Sequence, residues 1–246
     1  MSAFSVVVVG QWGAFPGPGE ATSCYLLSAQ GTSILLDCGS GSLSLLQQIL
    51  PLHEIDAVVL SHYHADHVAD LGCLQYAARI DMDLGRRKNP LKVFGHGESP
   101  GFSKLSYLEF ASGEIYGRES ILRIGPFSLG FSPTIHPDPC YAMRVSCGGA
   151  SLVYTGDTGP TPSLADFARG TELLICETSL YDEYKGRIPG HMSAGEAGLL
   201  AREAGVGMLL ATHLPHFGEH NVLLEQAGAA FGGRTDLASR NWTLEL

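Results

Sequence analysis

The sequence predicts an α/β chain of the layered α+β type, two mixed β-sheets covered by helices. Three observations carry that reading. Short apolar, β-branched runs alternate with segments of helical spacing along the chain. The composition is 45% apolar and only 16% charged, which suits a packed core and not a disordered chain. Histidines and aspartates fall where several of the apolar runs stop, and strand ends in α/β proteins carry chemistry. A single domain over residues 1–246 is expected, because no linker, repeat or low-complexity segment interrupts the pattern.

Each element has a local reason. SVVVVG (5–10) is a first strand; no basic segment precedes it, so it does not read as a secretory signal. A Gly/Pro-rich loop, GQWGAFPGPGE, follows. CYLLSAQGTSILLDCG (24–39) reads as two strands joined at Gln30-Gly31. Leu43, Leu46 and Leu50 are spaced for a helix. IDAVVLS (55–61) is a buried strand, and Leu71, Leu74 and Ala78 mark a helix beginning near His67. LKVFGHG is another strand. From about Arg118 to Val153 the pattern is mostly strand, with turns at Gly125-Pro126 and Gly148-Gly149. LLICETS (173–179) is a strand. Ser193-Ala-Gly-Glu196 is a capping box: Ser193 can accept from the Glu196 amide while Glu196 reaches back. The helix it opens puts Ala197, Leu200, Ala201 and Ala204 on one face and stops at Gly205. VGMLLAT is a strand that delivers His213.

The net charge of −10 makes a carboxylate-rich surface that repels polyanions, so general nucleic-acid binding is not expected. No apolar run approaches membrane-spanning length, and no membrane partner is expected. The six cysteines, at 24, 38, 73, 140, 147 and 176, form no CxxC pair, which fits reduced thiols and a cytoplasmic location. A homodimer is compatible with the sequence.

The densest chemistry lies in SHYHADHVAD (61–70), with His62, His64, Asp66 and His67 within six residues. These side chains converge where an apolar strand gives way to a helix. Imidazoles and a carboxylate suit Zn²⁺, with Mn²⁺ or Fe as alternatives. More candidates stand at other strand ends: His136 in SPTIHPDP, Asp157 in LVYTGDTG and His213 in LLATHLPH. Together they are enough for two divalent metal ions, with one carboxylate as bridge.

The HxHxDH stretch, followed in order by His136, Asp157 and His213, resembles the metallo-β-lactamase superfamily. The resemblance covers nearly the whole chain and includes Asp37 in LLDCG. It implies an αββα sandwich with the site at the edge between the sheets. It also implies that His62, His64 and His136 bind one metal, that Asp66, His67 and His213 bind the other, and that Asp157 bridges them. Asp37 would orient a ligand histidine. Many β-lactamases of the superfamily have Cys near the Asp157 position, whereas this chain has TGDTG. Two metals sharing a carboxylate and a hydroxide can attack phosphorus and stabilise the charge that develops. That favours a phosphodiester over a β-lactam.

PGHMSAGEAGLLAREAGV (189–206) resembles the histidine-containing segment of ribonuclease Z. The resemblance implies that His191 contacts the scissile phosphate and protonates the leaving oxygen, with Asp66 as the other catalytic residue. Ribonuclease Z carries a long tRNA-gripping arm between the segments equivalent to His136 and Asp157. Here that interval is only PDPCYAMRVSCGGASLVYTG. The cluster Arg86-Arg87-Lys88 reads as a solvated loop that could touch a phosphate. The expectation is therefore a phosphodiesterase acting on small phosphodiesters such as 3′,5′-cyclic nucleotides. The alternatives are a tRNA 3′ processing endonuclease and a non-catalytic metal-binding scaffold. A glyoxalase II-like thioesterase shares the metal core but leaves PGHMSAGE unexplained.

Overall fold

A computed structural model describes residues 3–246. Its strands are β1 (Ser5–Gly10), β2 (Cys24–Ala29), β3 (Thr32–Leu36), β4 (Ala57–Val59), β5 (Leu91–His96), β6 (Ala111–Tyr116), β7 (Ile121–Ile124), β8 (Phe127–Pro133), β9 (Tyr141–Cys147), β10 (Ala150–Tyr154), β11 (Leu173–Glu177), β12 (Met208–Thr212), β13 (Arg234–Leu237) and β14 (Thr243–Glu245). They form two seven-stranded sheets, ordered β14-β1-β2-β3-β4-β5-β6 and β13-β12-β11-β10-β9-β8-β7. Both sheets are mixed: β3 to β6 run parallel, as do β10 to β13, and the remaining pairs are antiparallel.

The strands read as unbroken apolar runs because both faces of each sheet are covered. Side chains alternate across a strand. Val6, Val8, Ile34 and Leu36 point into the inter-sheet core with Phe127, Met143, Tyr154 and Ile175. Val9, Leu35 and Val58 face the other way, against Leu46, Leu71 and Leu74 of the helices α1 (Ser42–Leu46) and α3 (Leu71–Asp83). On the second sheet, Val153, Leu174 and Leu209 pack outward on α4 (Pro162–Ala168), α5 (Ala194–Ala204) and α6 (His220–Phe231). The layers are helix, sheet, sheet, helix.

The capping box at Ser193 and Glu196 is present, and Gly205 ends α5 at φ 63. The turns at Gly125 and Gly148-Gly149 take positive φ. Two expectations need correction. The helix through Leu43, Leu46 and Leu50 is only the five-residue α1, because Leu50 precedes Pro51 and the residue before proline avoids helical backbone. The helix expected near His67 is two pieces, α2 (Ala65–Val68) and then α3, interrupted at Ala69-Asp70. Beyond these, α4, α6, β6, β13 and β14 were not anticipated. α6 shows why: of its residues only Leu223 and Ala227 are buried, so it carries almost no apolar stripe.

No helix among the described residues is long and apolar enough to cross a membrane. All six cysteines are free, and only Cys73 is exposed.

Candidate metal centre

Parallel strands place their carboxyl ends side by side, and the chemistry sits there. Asp37 follows β3, His62 lies just beyond β4, Asp157 follows β10, Glu177 ends β11 and His213 follows β12. The short helix α2 carries Asp66 and His67, His136 lies in the loop after β8, and His191 precedes α5. Both sheets contribute, so the side chains meet at their common edge.

The predicted residues fall into groups. One ligand atom from each of His62, His64, His136 and Asp157 lies within 4.8 Å of the others. The same is true of Asp66, His67 and His213, and of Asp157, His191 and His213. Asp157 stands between the groups. Its Oδ2 is 3.7 Å from His62 Nε2, and its Oδ1 is 3.3 Å from His67 Nε2 and 3.4 Å from His213 Nε2.

Most of these imidazoles are held by one nitrogen, which aims the other inward. Asp37 is fully buried and accepts at 2.7 Å from Ser61 N, 2.8 Å from Ser61 Oγ, 2.7 Å from His67 Nδ1 and 2.7 Å from Tyr154 OH. Ser61 thus spends its one proton on Asp37, so His62 Nδ1 must donate to Ser61 Oγ, 3.0 Å away. That leaves His62 Nε2 as a lone pair. His136 Nδ1 donates to the Asp138 carbonyl at 2.9 Å. His64 is held the other way round, by Nε2 on the Asp138 carboxylate, so its Nδ1 is the free nitrogen.

Glu177 is the second hub and plays for the far sheet the part Asp37 plays for the near one. It is fully buried and accepts from Thr158 N at 2.7 Å, Ser179 Oγ at 2.6 Å and His191 Nδ1 at 3.0 Å. Ser179 gives its proton to Glu177, so His213 Nδ1 donates to Ser179 Oγ at 2.8 Å. Asp66 accepts from Ala14 N at 2.8 Å and faces His213 Nε2 at 3.2 Å.

Glu177, Ser61, Ser179 and Asp138 were missed in the sequence. The available signal was a carboxylate at the carboxyl end of the wholly apolar run LLIC, where burial demands partners.

Electrostatics follow from this wiring. Burial, reinforced by the neighbouring His67 charge, pushes His62 well below the usual histidine range, so it is neutral. Burial also lowers His136. Burial opposes charge on His67 and His213, but the carboxylates override it and raise both; Asp157 leads in each case. Burial likewise disfavours the Asp157 and Asp66 carboxylates, and the surrounding imidazoles override it and hold both well below the usual range. For His191, burial is outweighed by the hydrogen bond and charge of Glu177, which push it up to about 9.

The donor set fits a divalent cation. His62 Nε2, His67 Nε2 and Asp157 Oδ1 are all buried without a hydrogen-bond partner. The last two are 3.3 Å apart but not aligned for a hydrogen bond. Unpaired buried polar atoms are costly, and three facing one another are relieved by a shared positive charge.

Two backbone features hold the site. Asp37 and His213 adopt φ 59 and 55, left-handed conformations that persist only where surroundings enforce them. Gly156, beside Asp157, takes φ 58, and a Cβ there would lie 3.0 Å from both Ser61 Cβ and Cys140 Sγ, so it serves close packing of the two sheets. The cluster Arg86-Arg87-Lys88 lies elsewhere. It precedes β5 at the edge where Lys92 pairs with Ala57, the amino end of β4 and the opposite end from His62. Arg86 pairs with Asp81 at 2.7 Å, and Arg87 is hydrogen-bonded to the carbonyls of Leu52 and Ile55.

Removing the Asp37 hub strands four buried donors at once. Asp37→Ala should cost about 3–5 kcal/mol of stability, as expected for breaking a buried charged network, and lower metal affinity about 10–100-fold. Urea unfolding and a competitive chelator titration measure the two effects. A variant as stable as the parent would deny Asp37 its role as a hub.

The chain as a whole is similar to known proteins. Residues 32–214 match a family model described as a β-lactamase superfamily domain. The chain is 43% identical over 241 residues to the "Probable metallo-hydrolase YhfI" of Bacillus subtilis (strain 168), covering 98% of this chain and 99% of that protein. The crystal structure of the Bacillus subtilis metallo-β-lactamase fold protein YhfI superposes with a TM-score of 0.96 at 42% identity, over 98% of this chain and 99% of that one. Ribonuclease Z of Mycobacterium marinum is 27% identical over 273 residues, covering 95% of each protein.

Proposed function

The chain belongs to the metallo-β-lactamase superfamily and is a metallo-hydrolase, and we propose that it is of the ribonuclease Z-like kind and hydrolyses small phosphodiesters such as 3′,5′-cyclic nucleotides, using two divalent metal ions. Zn²⁺ is the favoured metal and Mn²⁺ or Fe the alternatives, because imidazole and carboxylate donors suit all three. His62, His64 and His136 would hold one ion, Asp66, His67 and His213 the other, and Asp157 would face both.

The observation that carries the reading is the position of Asp157, a buried carboxylate whose two oxygens point to the two groups of imidazoles. When bound, a metal pair supplies Lewis acidity toward phosphoryl oxygens and activates water at neutral pH. The protein's own residues do the rest. Asp66 accepts a hydrogen bond from the Ala14 amide, which fixes its carboxylate against His213. Glu177 keeps a proton on His191 Nδ1 and so sets the ring's orientation. The other nitrogen of His191 is then the group that can hand a proton to a leaving alkoxide.

Residues 141–154 bear on substrate size. They are β9, a tight turn and β10, both hydrogen-bonded within the second sheet, where an RNA-gripping arm would have to project. Together with the charge of −10, this favours a small anion over a tRNA. The 27% identity to ribonuclease Z of Mycobacterium marinum keeps tRNA 3′ processing as the second reading. A non-catalytic scaffold has no evident use for a histidine wired to a buried glutamate beside the metal site.

The testing experiment assays the Zn²⁺- or Mn²⁺-loaded protein against cyclic AMP, bis(p-nitrophenyl) phosphate, a precursor tRNA, a β-lactam and a thioester. Turnover of the two diesters is expected. Elemental analysis should give about two ions per chain, since the donors divide into two groups; a content near zero after reconstitution would exclude a metal centre. Precursor tRNA should be a poor substrate. Cleavage of its 3′ trailer at the rate of the small diesters would overturn the small-substrate reading.

A further inference from the structure

We propose that the apolar cleft beside the histidine cluster is a stacking subsite for a nucleobase, with Phe15 as its platform. The inference rests on the phosphodiesterase reading and adds what the phosphate carries. The cleft has a volume of about 250 Å³, with Phe15, Ile188, Leu214, Pro215 and Phe217 in its wall and His191 and His213 also lining it. Pockets for whole ligands measure about 300–1,000 Å³. This one therefore takes a single moiety of a substrate whose phosphate lies at the histidines.

Its apolar rim faces water, against the usual preference. Phe15 is 58% exposed, Ile188 49% and Phe217 48%. Phe15 also ends a column of parallel rings: Trp12 stacks on His216 at 4.4 Å and 10°, and His216 on Phe15 at 3.7 Å and 3°. The column is pinned. The Trp12 indole N–H donates to Glu20, and His216 Nε2 donates to the Phe15 carbonyl at 2.5 Å. His216 covers one face of Phe15, and the 58% exposure of the residue leaves ring surface on which the stack can continue. A platform locked in this way loses little entropy when a planar ring joins it.

The same loop ties the platform to the reacting centre. Between Trp12 and Phe15, Ala14 N donates to Asp66, and a Cβ at Gly13 would lie 2.7 Å from the His213 ring. The wall offers no carboxamide or carboxylate side chain to read a base edge. The subsite therefore selects for a flat ring without reading its hydrogen-bonding edge, and favours purines through their larger face.

The test is calorimetric binding to the zinc-loaded protein of adenosine 5′-monophosphate and ribose 5-phosphate, which share the phosphate and differ in the ring. The adenosine compound should bind at least about tenfold tighter, within the range of base–aromatic stacking. Phe15→Ala and Phe15→Leu should each lose about tenfold in its affinity and leave ribose 5-phosphate unchanged; the leucine keeps apolar bulk and removes only the ring. In both variants KM for a cyclic nucleotide should rise while kcat holds. Ring preference without turnover of any phosphodiester would support the subsite and sink the phosphodiesterase reading. Equal binding of the two probes, or unchanged adenosine affinity in both variants, overturns the subsite. So would a sedimenting dimer that dissolves in the variants while ring preference stays, since the face would then serve a second copy of the chain.

Discussion

Asp66→Ala is expected to reduce hydrolysis to the uncatalysed background while the protein stays folded. The carboxylate touches three things at once. It accepts from the Ala14 amide at 2.8 Å, faces His213 Nε2 at 3.2 Å and lies 3.7 Å from His67 Nε2. Its removal takes a donor from one proposed metal group and releases the loop that borders the cleft. The loss should exceed the ~10²–10⁴-fold that one acid–base group supplies, because a binding and a positioning role are lost together. The fold should survive. Asp66 sits in the first turn of the four-residue α2, and alanine is the stronger helix former. It also belongs to none of the apolar clusters. Circular dichroism, elemental analysis and kcat measured together decide the matter. A folded variant with undiminished turnover would remove Asp66 from the mechanism.

His191→Ala should act selectively. An alkoxide such as the ribose 3′-oxygen needs a proton as it leaves, whereas p-nitrophenolate hardly does. The variant should lose about 10²–10⁴-fold in kcat on a cyclic nucleotide and far less on bis(p-nitrophenyl) phosphate. Metal content should hold. The geometry makes this control essential, because a nitrogen of His191 lies within 4.8 Å of ligand atoms on Asp157 and His213. Lost metal would make His191 a ligand, and equal losses on both substrates would make it a phosphate-positioning group. No loss on either would leave it a residue that merely flanks α5. Glu177→Gln offers a second view: it keeps the hydrogen-bonding shape but not the charge that holds the His191 proton, so it should reproduce the leaving-group selectivity in weaker form.

Much of this was legible in the chain because it is local. Period-2 burial on two faces gives unbroken apolar runs such as SVVVVG and LLIC, and a capping box is written within four residues. HxHxDH is dense enough to declare its chemistry unaided, and Asp37, His136, Asp157 and His213 each stand just beyond such a run. What stayed hidden were elements and groups whose meaning comes from a distant partner. α6 buries two residues against α5, so its sequence looks like surface. Glu177 looks like the end of a strand until the fold brings Ser179 and His191 onto its two oxygens. Asp138 is an ordinary loop aspartate until His64 and His136, which are 72 residues apart in number, both turn to it.

The residue types available for chemistry, their order and the strands that carry them can be read from the chain alone. This is so because apolar periodicity and metal-donor spacing are properties of neighbours along the chain. Which nitrogen of each histidine points inward, and that Phe15 caps a stack of rings next to the centre, emerge only on folding. The orientations of the histidines depend on where single protons go. Ser61 has one, given to Asp37, and Ser179 has one, given to Glu177. Each gift obliges a histidine to donate and leaves its other nitrogen as the free donor atom, and the groups involved meet only when the two sheets close on each other.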